Sequence, residues 1–350
     1  MDKIKIAIRT NGGGEGIGFG HLMRCLSLAD ELTKQGAQVY FISKDYKPGI
    51  DLLKSRGYEV KTIDVNAFGD DDLKQSTPLL ENADLIITDS YEIGTGYLQG
   101  LKQLNIPVGS FDDLYGNSNL TTIPSELVIN PNPYAEKEHY KDRVAKSAIL
   151  LLGNKYTSLR EEFAKAAQEK RILRKNVRTI IVSMGGEDKD NNTKKVIKTI
   201  ENIPNNLEVT VVLGAANTHK EEIGRYIKGL KHKYKIRQNV QNISEYMLKA
   251  DIAITAGGTT VWEFCACGTP FIVLTCADNQ EGVAGYVQKT KIGVSIGYPA
   301  EQGLKRLSES INKLIKDFAL RQELSKNAKK LIDGKGAQRL AKEIIKYVKK

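Results

Sequence analysis

The sequence predicts an α/β protein made of two doubly wound domains, each a parallel sheet with helices on both faces. The chain has 350 residues, which is too long for one ordinary core and suits two domains of about 150 residues or more. Short apolar runs alternate with helical patterns, as they do in parallel sheets. This alternation occurs as two successive series, and each series contains a glycine-rich turn after a strand.

The first series of predicted strands lies before residue 130 and the second lies after residue 178. The predicted strands are 4–9, 39–43, 59–63, 85–88, 108–111 and 127–129, followed by 179–183, 208–213, 234–237, 252–255 and 271–274. The helix after the first strand is the clearest one. Its residues Leu22, Leu26, Ala29 and Leu32 share one face, and Gly36 is suited to end it.

A connector at 153–175 separates the two series. We therefore expect an N-terminal Rossmann-like domain at 1–155 and a C-terminal one at 156–350. The second domain is expected to include three closing helices, at about 301–315, 318–331 and 335–349.

Composition restricts the class of protein. Hydrophobic residues make up 41% and charged residues 27% of the chain, which is typical of soluble globular proteins, and no apolar stretch of 18 residues predicts a membrane span. The N-terminus MDKIKIAIR enters a strand without the pattern of an export signal, so a cytoplasmic location is expected. The four cysteines lie in apolar segments at 25, 265, 267 and 276. They predict buried thiols, not a disulfide framework or a zinc site.

The net charge of +10 invites a nucleic-acid hypothesis. Much of the excess lies in 165–178, in 228–237 and in the C-terminal helices, among acidic residues at helical spacing. This pattern favours solvated helix faces, because aromatic residues are not interleaved in a basic stripe. We expect no nucleic-acid partner, while a weak attraction to anionic substrates or to a membrane surface stays open.

The segment 9–21, RTNGGGEGIGFGH, joins the first strand to the first helix. Its glycines, which include Gly18 and Gly20, can reach positive φ and bring backbone amides close to a ligand. His21 would then stand at the mouth of a cleft. An unperturbed imidazole has a pKa of about 6.5, so it can accept a proton near pH 7. The alternative is a tight or phosphate-binding turn with His21 on the surface.

The second domain carries a matching turn, 256–260 (AGGTT). Gly257 and Gly258 would let the backbone approach a phosphate, and Thr259 would cap the helix whose amides face the anion. Glu263, one turn further on, has the reach to bind both hydroxyls of a ribose. The alternative is an ordinary N-cap followed by a surface glutamate.

A polar run follows the last predicted strand. Asn279 and Gln280 lie in it, at the same edge of the sheet as the glycine turn, and carboxamides of this kind bind sugar hydroxyls. The alternative is a loop that caps the next helix.

Seven segments, taken together and in order, resemble one known family. They are IGFGHLMRCLSLADEL (17–32), ITDSYEIG (87–94), SFDDL (110–114), INPNPYA (129–135), YTSLREEF (156–163), SMGGEDKDNNT (183–193) and AGGTTVWEF with ADNQ (256–264, 277–280). The family comprises the nucleotide-sugar hydrolases of pseudaminic acid biosynthesis, which remove UDP from UDP-2,4-diacetamido-2,4,6-trideoxy-β-L-altropyranose. It resembles the lipid II-forming N-acetylglucosaminyltransferase.

This resemblance implies a GT-B fold, in which two Rossmann-like domains face each other across a cleft. It implies that the C-terminal domain holds UDP and that water attacks the anomeric carbon with inversion, without a cofactor or an obligatory metal. Backbone amides would offset the charge that develops on the departing UDP.

The resemblance also implies roles for particular residues. His21 becomes the general base, Tyr91 an aromatic residue on the cleft side, and Asp89 a residue that orients water or a sugar hydroxyl. The residues expected to bind substrate are Gly18, Gly20, Arg24, Asn279 and Gln280. Those expected to bind UDP are Ser183, Gly185, Gly186, Gly257, Gly258, Thr259 and Glu263.

The sequence departs from the family pattern in the first turn. Asn11 stands where the family usually has an aspartate, and Glu15 is a candidate replacement for that carboxylate. Asp112 and Asp113 form a carboxylate pair at the end of a strand. We expect them to have a structural or substrate-positioning role, because no histidine or third carboxylate is adjacent to suggest a metal.

Two other functions stay open. One is a GT-B glycosyltransferase that passes the sugar of a UDP-sugar to a lipid or protein acceptor. The other is a nucleotide-sugar sensor, which would keep Glu263 and the second-domain glycines but would have no use for His21. The sequence does not predict an oligomeric state.

Overall fold

The computed structural model describes residues 3–12, 19–113 and 120–350. The chain forms two compact units. Unit 1 contains residues 1–160 and 335–350, and unit 2 contains residues 161–334. Each unit is built on a parallel sheet, so the predicted α/β class is confirmed.

Unit 1 contains a parallel sheet in which seven strands are described, in the order β3-β2-β1-β4-β5-β6-β7. Its elements before the crossing to unit 2 are β1 (Lys5–Thr10), α1 (Gly20–Lys34), β2 (Gln38–Lys44), α2 (Lys47–Ser55), β3 (Glu59–Ile63), α3 (Asp70–Leu80), β4 (Leu85–Asp89), α4 (Thr95–Lys102), β5 (Val108–Phe111), β6 (Leu127–Asn130) and β7 (Ile149–Leu152). Strand β7 was not predicted. The four-residue segment ILLL is too short to show a period of its own.

Unit 2 contains a second parallel sheet, in the order β10-β9-β8-β11-β12-β13. Its elements are α5 (Glu161–Gln168), β8 (Thr179–Ser183), α6 (Asn192–Glu201), β9 (Glu208–Leu213), α7 (Lys220–Tyr226), β10 (Lys233–Gln238), α8 (Ser244–Lys249), β11 (Ile252–Ala256), α9 (Thr260–Cys267), β12 (Phe271–Leu274), α10 (Glu281–Thr290), β13 (Val294–Ser295), α11 (Glu301–Lys316) and α12 (Phe318–Leu331). The two-residue strand β13 was not predicted.

The last helix, α13 (Gly336–Val348), differs from the expectation that all closing helices belong to the second domain. Its apolar face, which includes Leu340, Ile344 and Ile345, packs into the core of unit 1 together with Leu22 of α1. Periodicity predicts such an apolar face, but it does not identify which sheet receives it.

The order of strands places the functional segments. In unit 1 the strand order reverses between β1 and β4, and in unit 2 between β8 and β11. Ligands of open α/β sheets bind beyond the carboxyl ends of strands at such points. Thr10 pairs with Asp89 in the β1–β4 register, so the glycine-rich turn after β1 begins level with the end of β4.

Two further expectations concern membranes and thiols. No helix within residues 3–12, 19–113 and 120–350 has the length and hydropathy to cross a bilayer. All four cysteines are free. Cys25, Cys265 and Cys267 are buried as predicted, while Cys276 is half-buried.

Candidate active site

His21 lies in the first turn of α1, where it faces the end of β4. Its Nδ1 is 2.7 Å from Oδ1 of Asp89, the last residue of that strand. The His21 residue is 9% exposed and Asp89 is 1% exposed. A carboxylate therefore lies behind the imidazole, in a buried setting at the carboxyl end of the sheet.

The contacts of Nδ1 indicate which tautomer of His21 is present. Nη2 of Arg24 lies 3.0 Å from this nitrogen, while the Asp89 oxygen lies closer, at 2.7 Å. A carboxylate can only accept a hydrogen bond, so the shorter contact indicates that Nδ1 carries a hydrogen and donates it to Asp89. Nε2 of His21 then carries the lone pair and is the atom that can accept a proton.

Arg24 joins two carboxylates. Its Nε and Nη2 each donate to Asp89 at 2.5 Å, and its Nη1 donates to Oδ2 of Asp113. Burial alone would lower the pKa of Arg24, but Asp113 and Asp89 raise it well above the ordinary value. Burial would likewise raise the pKa of Asp89, yet Arg24 and His21 hold it well below its usual range. The pair is therefore ionised throughout the physiological range.

Tyr91 forms another wall of the site. Its ring meets the His21 ring edge-on, with 4.3 Å between the ring centroids. Its hydroxyl lies 3.5 Å from Oδ2 of Asp113. Burial, reinforced by the charge of Asp113, raises the pKa of Tyr91 far above that of a free phenol. Tyr91 is thus a neutral hydrogen-bond donor at any working pH.

Four predicted residues come together in unit 1: His21, Asp89, Tyr91 and Arg24. Two of them occupy positions different from the expected ones. Asp89 is directed at His21 and Arg24, not at a site where it would orient water or a sugar hydroxyl. The Arg24 side chain is 7% exposed and is engaged with Asp89 and Asp113, so it supports the site from behind and does not face a substrate.

The glycine-rich segment after β1 also contains Asn11, Glu15, Gly18 and Gly20. Gly20 is the first residue of α1. Gly18 and Glu15, both named by the sequence analysis, lie outside the described residues. Asn11 is buried, and its Oδ1 accepts hydrogen bonds from Nη1 of Arg9 at 2.6 Å and from the backbone nitrogen of Lys44 at 3.0 Å. An amide oxygen is sufficient for both contacts, so this position does not require a carboxylate.

The two neighbouring aspartates at the end of β5 differ in their surroundings. Asp113 joins the His21 cluster through Arg24. Asp112 is buried, with Arg143 3.4 Å from its Oδ2, and burial raises its pKa to about 6. The sequence predicted a structural or substrate-positioning role for the pair, but it could not show that Asp113 pairs with Arg24 while Asp112 pairs with Arg143. Within the described residues, no group of three or more His, Cys, Asp or Glu side chains is arranged to hold a metal ion.

Ser183 is the last residue of β8, and Gly185 and Gly186 lie in the turn that follows it. Gly185 has a φ of +91°, a conformation that glycine adopts without strain. Gly186 is packed closely against Gly214. A methyl group on Gly214 would come within 2.2 Å of the Gly186 carbonyl oxygen. The backbone of this turn is therefore packed against the turn that follows β9.

Asp188 occupies the N-terminus of α6, just beyond this turn. Its two carboxylate oxygens accept hydrogen bonds from the backbone nitrogens of Asn192 at 2.8 Å and Thr193 at 2.9 Å. An internal carboxylate thus takes the place that an external anion would need.

The N-terminus of α9 is different. Thr259 stands at its N-cap position but makes no side-chain capping hydrogen bond, contrary to expectation, and its side chain is exposed. Gly258 has open space around it. The backbone nitrogens of Val261 and Trp262 donate to the carbonyl oxygens of Gly258 at 3.1 Å and Thr259 at 3.0 Å. The amides of Gly258, Thr259 and Thr260, which precede them, are suited to an anion such as a diphosphate.

The Gln280 side chain holds the same region together. Its Oε1 accepts hydrogen bonds from the backbone nitrogens of Gly257 at 3.1 Å and Cys276 at 2.9 Å. That oxygen was expected to bind sugar, and the Gly257 amide was expected to bind phosphate. The structure pairs these two atoms with each other. Asn279 is exposed and Glu263 is half-buried, and their predicted contacts with sugar and ribose remain predictions.

Tyr298 is a residue that the sequence analysis did not identify. It is 43% exposed, and its hydroxyl lies 2.9 Å from carboxylate oxygens of both Asp278 and Glu281. An exposed aromatic ring is thereby fixed beside the turn that follows β12. A lone tyrosine after a glycine gives no sequence signal for such a position.

The chain is similar to several known proteins. Residues 173–344 match the glycosyltransferase family 28 C-terminal domain. The chain is 30% identical over 278 residues to the Methanocaldococcus jannaschii protein named Uncharacterized protein MJ1062. That match covers 77% of this chain but 55% of the relative, so the chain spans about half the length of that protein.

Two relatives match along nearly their whole length. The spore coat polysaccharide biosynthesis protein SpsG of Bacillus subtilis is 25% identical, with 96% of each chain covered. The UDP-N-acetylglucosamine--N-acetylmuramyl-(pentapeptide) pyrophosphoryl-undecaprenol N-acetylglucosamine transferase of Caldanaerobacter subterraneus subsp. tengcongensis is 24% identical, with 91% of this chain and 94% of the relative covered.

The fold itself has counterparts among solved structures. The crystal structure of MurG from Acinetobacter baumannii matches with a TM-score of 0.68 and 15% identity, covering 99% of this chain and all of the other. The two parallel-sheet α/β units therefore have the GT-B fold that the sequence predicted.

Proposed function

We propose that this protein is a nucleotide-sugar enzyme of surface polysaccharide biosynthesis, and that it cleaves the bond between sugar and diphosphate in a UDP-sugar. The family 28 match and the similarity to SpsG and to a UDP-N-acetylglucosamine transferase support this class of reaction. The single observation that supports the chemistry is the 2.7 Å contact between His21 and Asp89.

His21 is the proposed general base. Asp89 fixes the ring and holds the Nδ1 hydrogen, so Nε2 can take the proton of the attacking hydroxyl as its oxygen bonds to the anomeric carbon. Asp89 is a positioning residue, because it acts through His21. Tyr91, packed edge-on against the imidazole, restricts the ring to this orientation.

Unit 2 is the proposed nucleotide-binding unit. The turn that leads into α9 offers the amides of Gly258, Thr259 and Thr260 to the diphosphate, and these amides would offset the charge that develops on UDP as it departs. Glu263, in the same turn, is the proposed ribose ligand. Asp188 argues against a second phosphate site at α6, because it already fills that helix terminus.

Two acceptors are compatible with this chemistry. Transfer of the sugar to a lipid or protein acceptor has the stronger support from the comparisons, since a relative whose name states a reaction is a transferase. Water is favoured by one feature of the site: His21 is only 9% exposed and is surrounded by a phenol and charged groups, which suits a small polar nucleophile. The motif resemblance to UDP-sugar hydrolases of pseudaminic acid biosynthesis supports the same acceptor.

One experiment separates these functions. The protein is incubated with a panel of UDP-sugars, including the 2,4-diacetamido-2,4,6-trideoxy substrate, without any acceptor. Free UDP and reducing sugar are measured, and the anomer released first is identified by NMR. Release without an acceptor supports the hydrolase, and release only on addition of a lipid acceptor supports the transferase. Absence of UDP release under both conditions, or equal release by His21→Ala, would overturn the proposal.

A further inference from the structure

The cluster around His21 contains more negative charge than positioning of the ring requires. Asp89 already accepts two hydrogen bonds from Arg24 and one from His21. A second carboxylate, Asp113, accepts a third hydrogen bond from the same guanidinium, from Nη1. All of these groups lie in unit 1, at the carboxyl ends of β4 and β5.

Arg24 creates an electrostatic difficulty for a base at His21. Its Nη2 is 3.0 Å from Nδ1 of the imidazole, so a proton gained by His21 would create a second cation beside the guanidinium. Asp89 alone cannot offset both cations, because one carboxylate balances one positive charge. In a site this deeply buried, such an imbalance opposes proton uptake.

Asp113 has the position to correct this balance. Its side chain is 11% exposed, and its Oδ2 is paired with Arg24. With Asp89 and Asp113 both ionised and Arg24 charged, the cluster carries one net negative charge while His21 is neutral, and it becomes neutral when His21 is protonated. The charge arrangement thus fits the protonated imidazole that forms during the reaction.

We propose that Asp113 is a positioning residue for catalysis: it balances the charge of Arg24, so that Asp89 can stabilise His21 once it has taken the acceptor's proton. This inference rests on the proposed function of His21 as general base. Asp113 does not contact His21 directly, yet its charge contributes to the basicity of the imidazole.

The other groups that face this cluster do not supply the missing charge. Tyr91, from the segment after β4, and Tyr134, from the segment after β6, are held as neutral phenols, because burial and the charge of Asp113 raise the pKa of both. Cys25 of α1 lies 3.4 Å from Oδ2 of Asp89, and burial raises the pKa of its thiol well above the ordinary value. Asp112 follows β5 but is paired with Arg143. Among the residues that the structure describes, the negative charge near His21 therefore comes from Asp89 and Asp113.

The test compares wild-type protein with Asp113→Asn in the pH dependence of UDP release. Loss of the charge disfavours protonated His21. The acidic limb of the profile should therefore move to lower pH by on the order of one unit, and the maximal rate should fall at least tenfold. Asp113→Glu should restore the position of the limb. Cys25→Ala removes an uncharged thiol beside Asp89 and should leave the limb in place. An unmoved limb in a folded Asp113→Asn protein would overturn the proposal.

A second measurement needs no substrate. The ring signals of the four histidines are followed by NMR as a function of pH, and His21 is assigned by its absence in His21→Gln. In Asp113→Asn, the midpoint of the His21 titration should move to lower pH, as the acidic limb does. Asp113→Ser replaces this variant if the asparagine protein does not fold. An unchanged midpoint would overturn the inference about Asp113. A changed midpoint in a protein that cleaves no UDP-sugar would overturn only the proposed function.

Discussion

The side-chain oxygen of Gln280 lies 3.1 Å from the backbone nitrogen of Gly257 and accepts a hydrogen bond from it. The Gly257 amide also donates to the carbonyl of Leu274, at 2.9 Å. This amide is therefore committed within the protein. Gln280 fixes the turn after β11 against the turn after β12, and the amides of Gly258, Thr259 and Thr260 are the ones proposed to bind a ligand.

Gln280→Ala is expected to weaken UDP binding about tenfold, although its side-chain oxygen does not face the ligand. The substitution removes two hydrogen bonds that hold the turn, each worth about 1 kcal/mol, and one of them restrains the backbone leading to α9. Titration calorimetry with UDP alone measures the effect. Asn279→Ala is the matched control, since Asn279 is exposed and its predicted contact is with the sugar. A larger loss of UDP affinity in Asn279→Ala than in Gln280→Ala would contradict this assignment.

Gly258→Ala tests the proposed diphosphate site directly. Apart from its neighbours in the chain, no atom of the described residues lies within 4 Å of the position that a methyl group would take on Gly258, so the free energy of unfolding should change by less than about 0.5 kcal/mol. A phosphate held by the α9 amides would meet that methyl group, so UDP affinity should fall at least tenfold.

Gly285→Ala is the control for this substitution. It places the same methyl group in open space on another helix of unit 2, α10, and should leave UDP affinity unchanged. Thermal denaturation and calorimetry on the two variants separate stability from binding. Unchanged UDP affinity in Gly258→Ala would place the diphosphate elsewhere.

The sequence predicted the sheets well because parallel strands buried on both faces are continuous apolar runs. The strand predicted at 108–111 and the one at 271–274 have the observed bounds, β5 and β12. The family resemblance named both His21 and Asp89 as catalytic residues, and the two do meet although 68 residues separate them. The pairing of β1 with β4, which the structure shows, brings the turn after β1 level with the end of β4.

What the sequence could not show is which atom each polar side chain uses. Arg24 and Gln280 have the polarity of ligand-binding residues, yet the structure turns both toward partners within the protein. A sequence motif gives the residue type and its place on the chain but not the competition between a ligand and a nearby backbone amide or carboxylate. The same limit applies to α13, whose apolar face fits either sheet by pattern alone.

His21→Gln and Asp89→Asn should each lower the rate of UDP release at least a hundredfold, with UDP affinity unchanged. The double variant should be little worse than His21→Gln, because Asp89 acts only through the imidazole. Single-turnover kinetics and calorimetry measure the two quantities. Cys25→Ala is the control, since its thiol touches the same Asp89 carboxylate without carrying charge, and it should stay within a few-fold of wild type. Full biological output from His21→Gln would instead favour a nucleotide-sugar sensor.

Asp112 is expected to make the protein less stable as pH rises, which is the opposite of the usual effect of a carboxyl group. Burial raises its pKa from 3.8 to about 6, so the folded protein binds this proton more tightly than the unfolded chain does. The stabilisation is complete below the pKa of the unfolded chain and is lost as pH rises through about 6. Asp112→Asn keeps the shape and cannot ionise. It should therefore gain about 1 to 2 kcal/mol relative to wild type between pH 5 and pH 8.

Urea denaturation of the two proteins at pH 5 and pH 8 measures that gain. Asp112→Ala serves as the control, because it lacks the same ionisable group but leaves a small cavity beside Arg143. Its stability should be lower than that of Asp112→Asn at both pH values, while its change relative to wild type between them should be the same. If Asp112→Asn is instead less stable than wild type at pH 8, the 3.4 Å ion pair with Arg143 outweighs the cost of burying the carboxylate, and Asp112 stabilises unit 1 in its charged form.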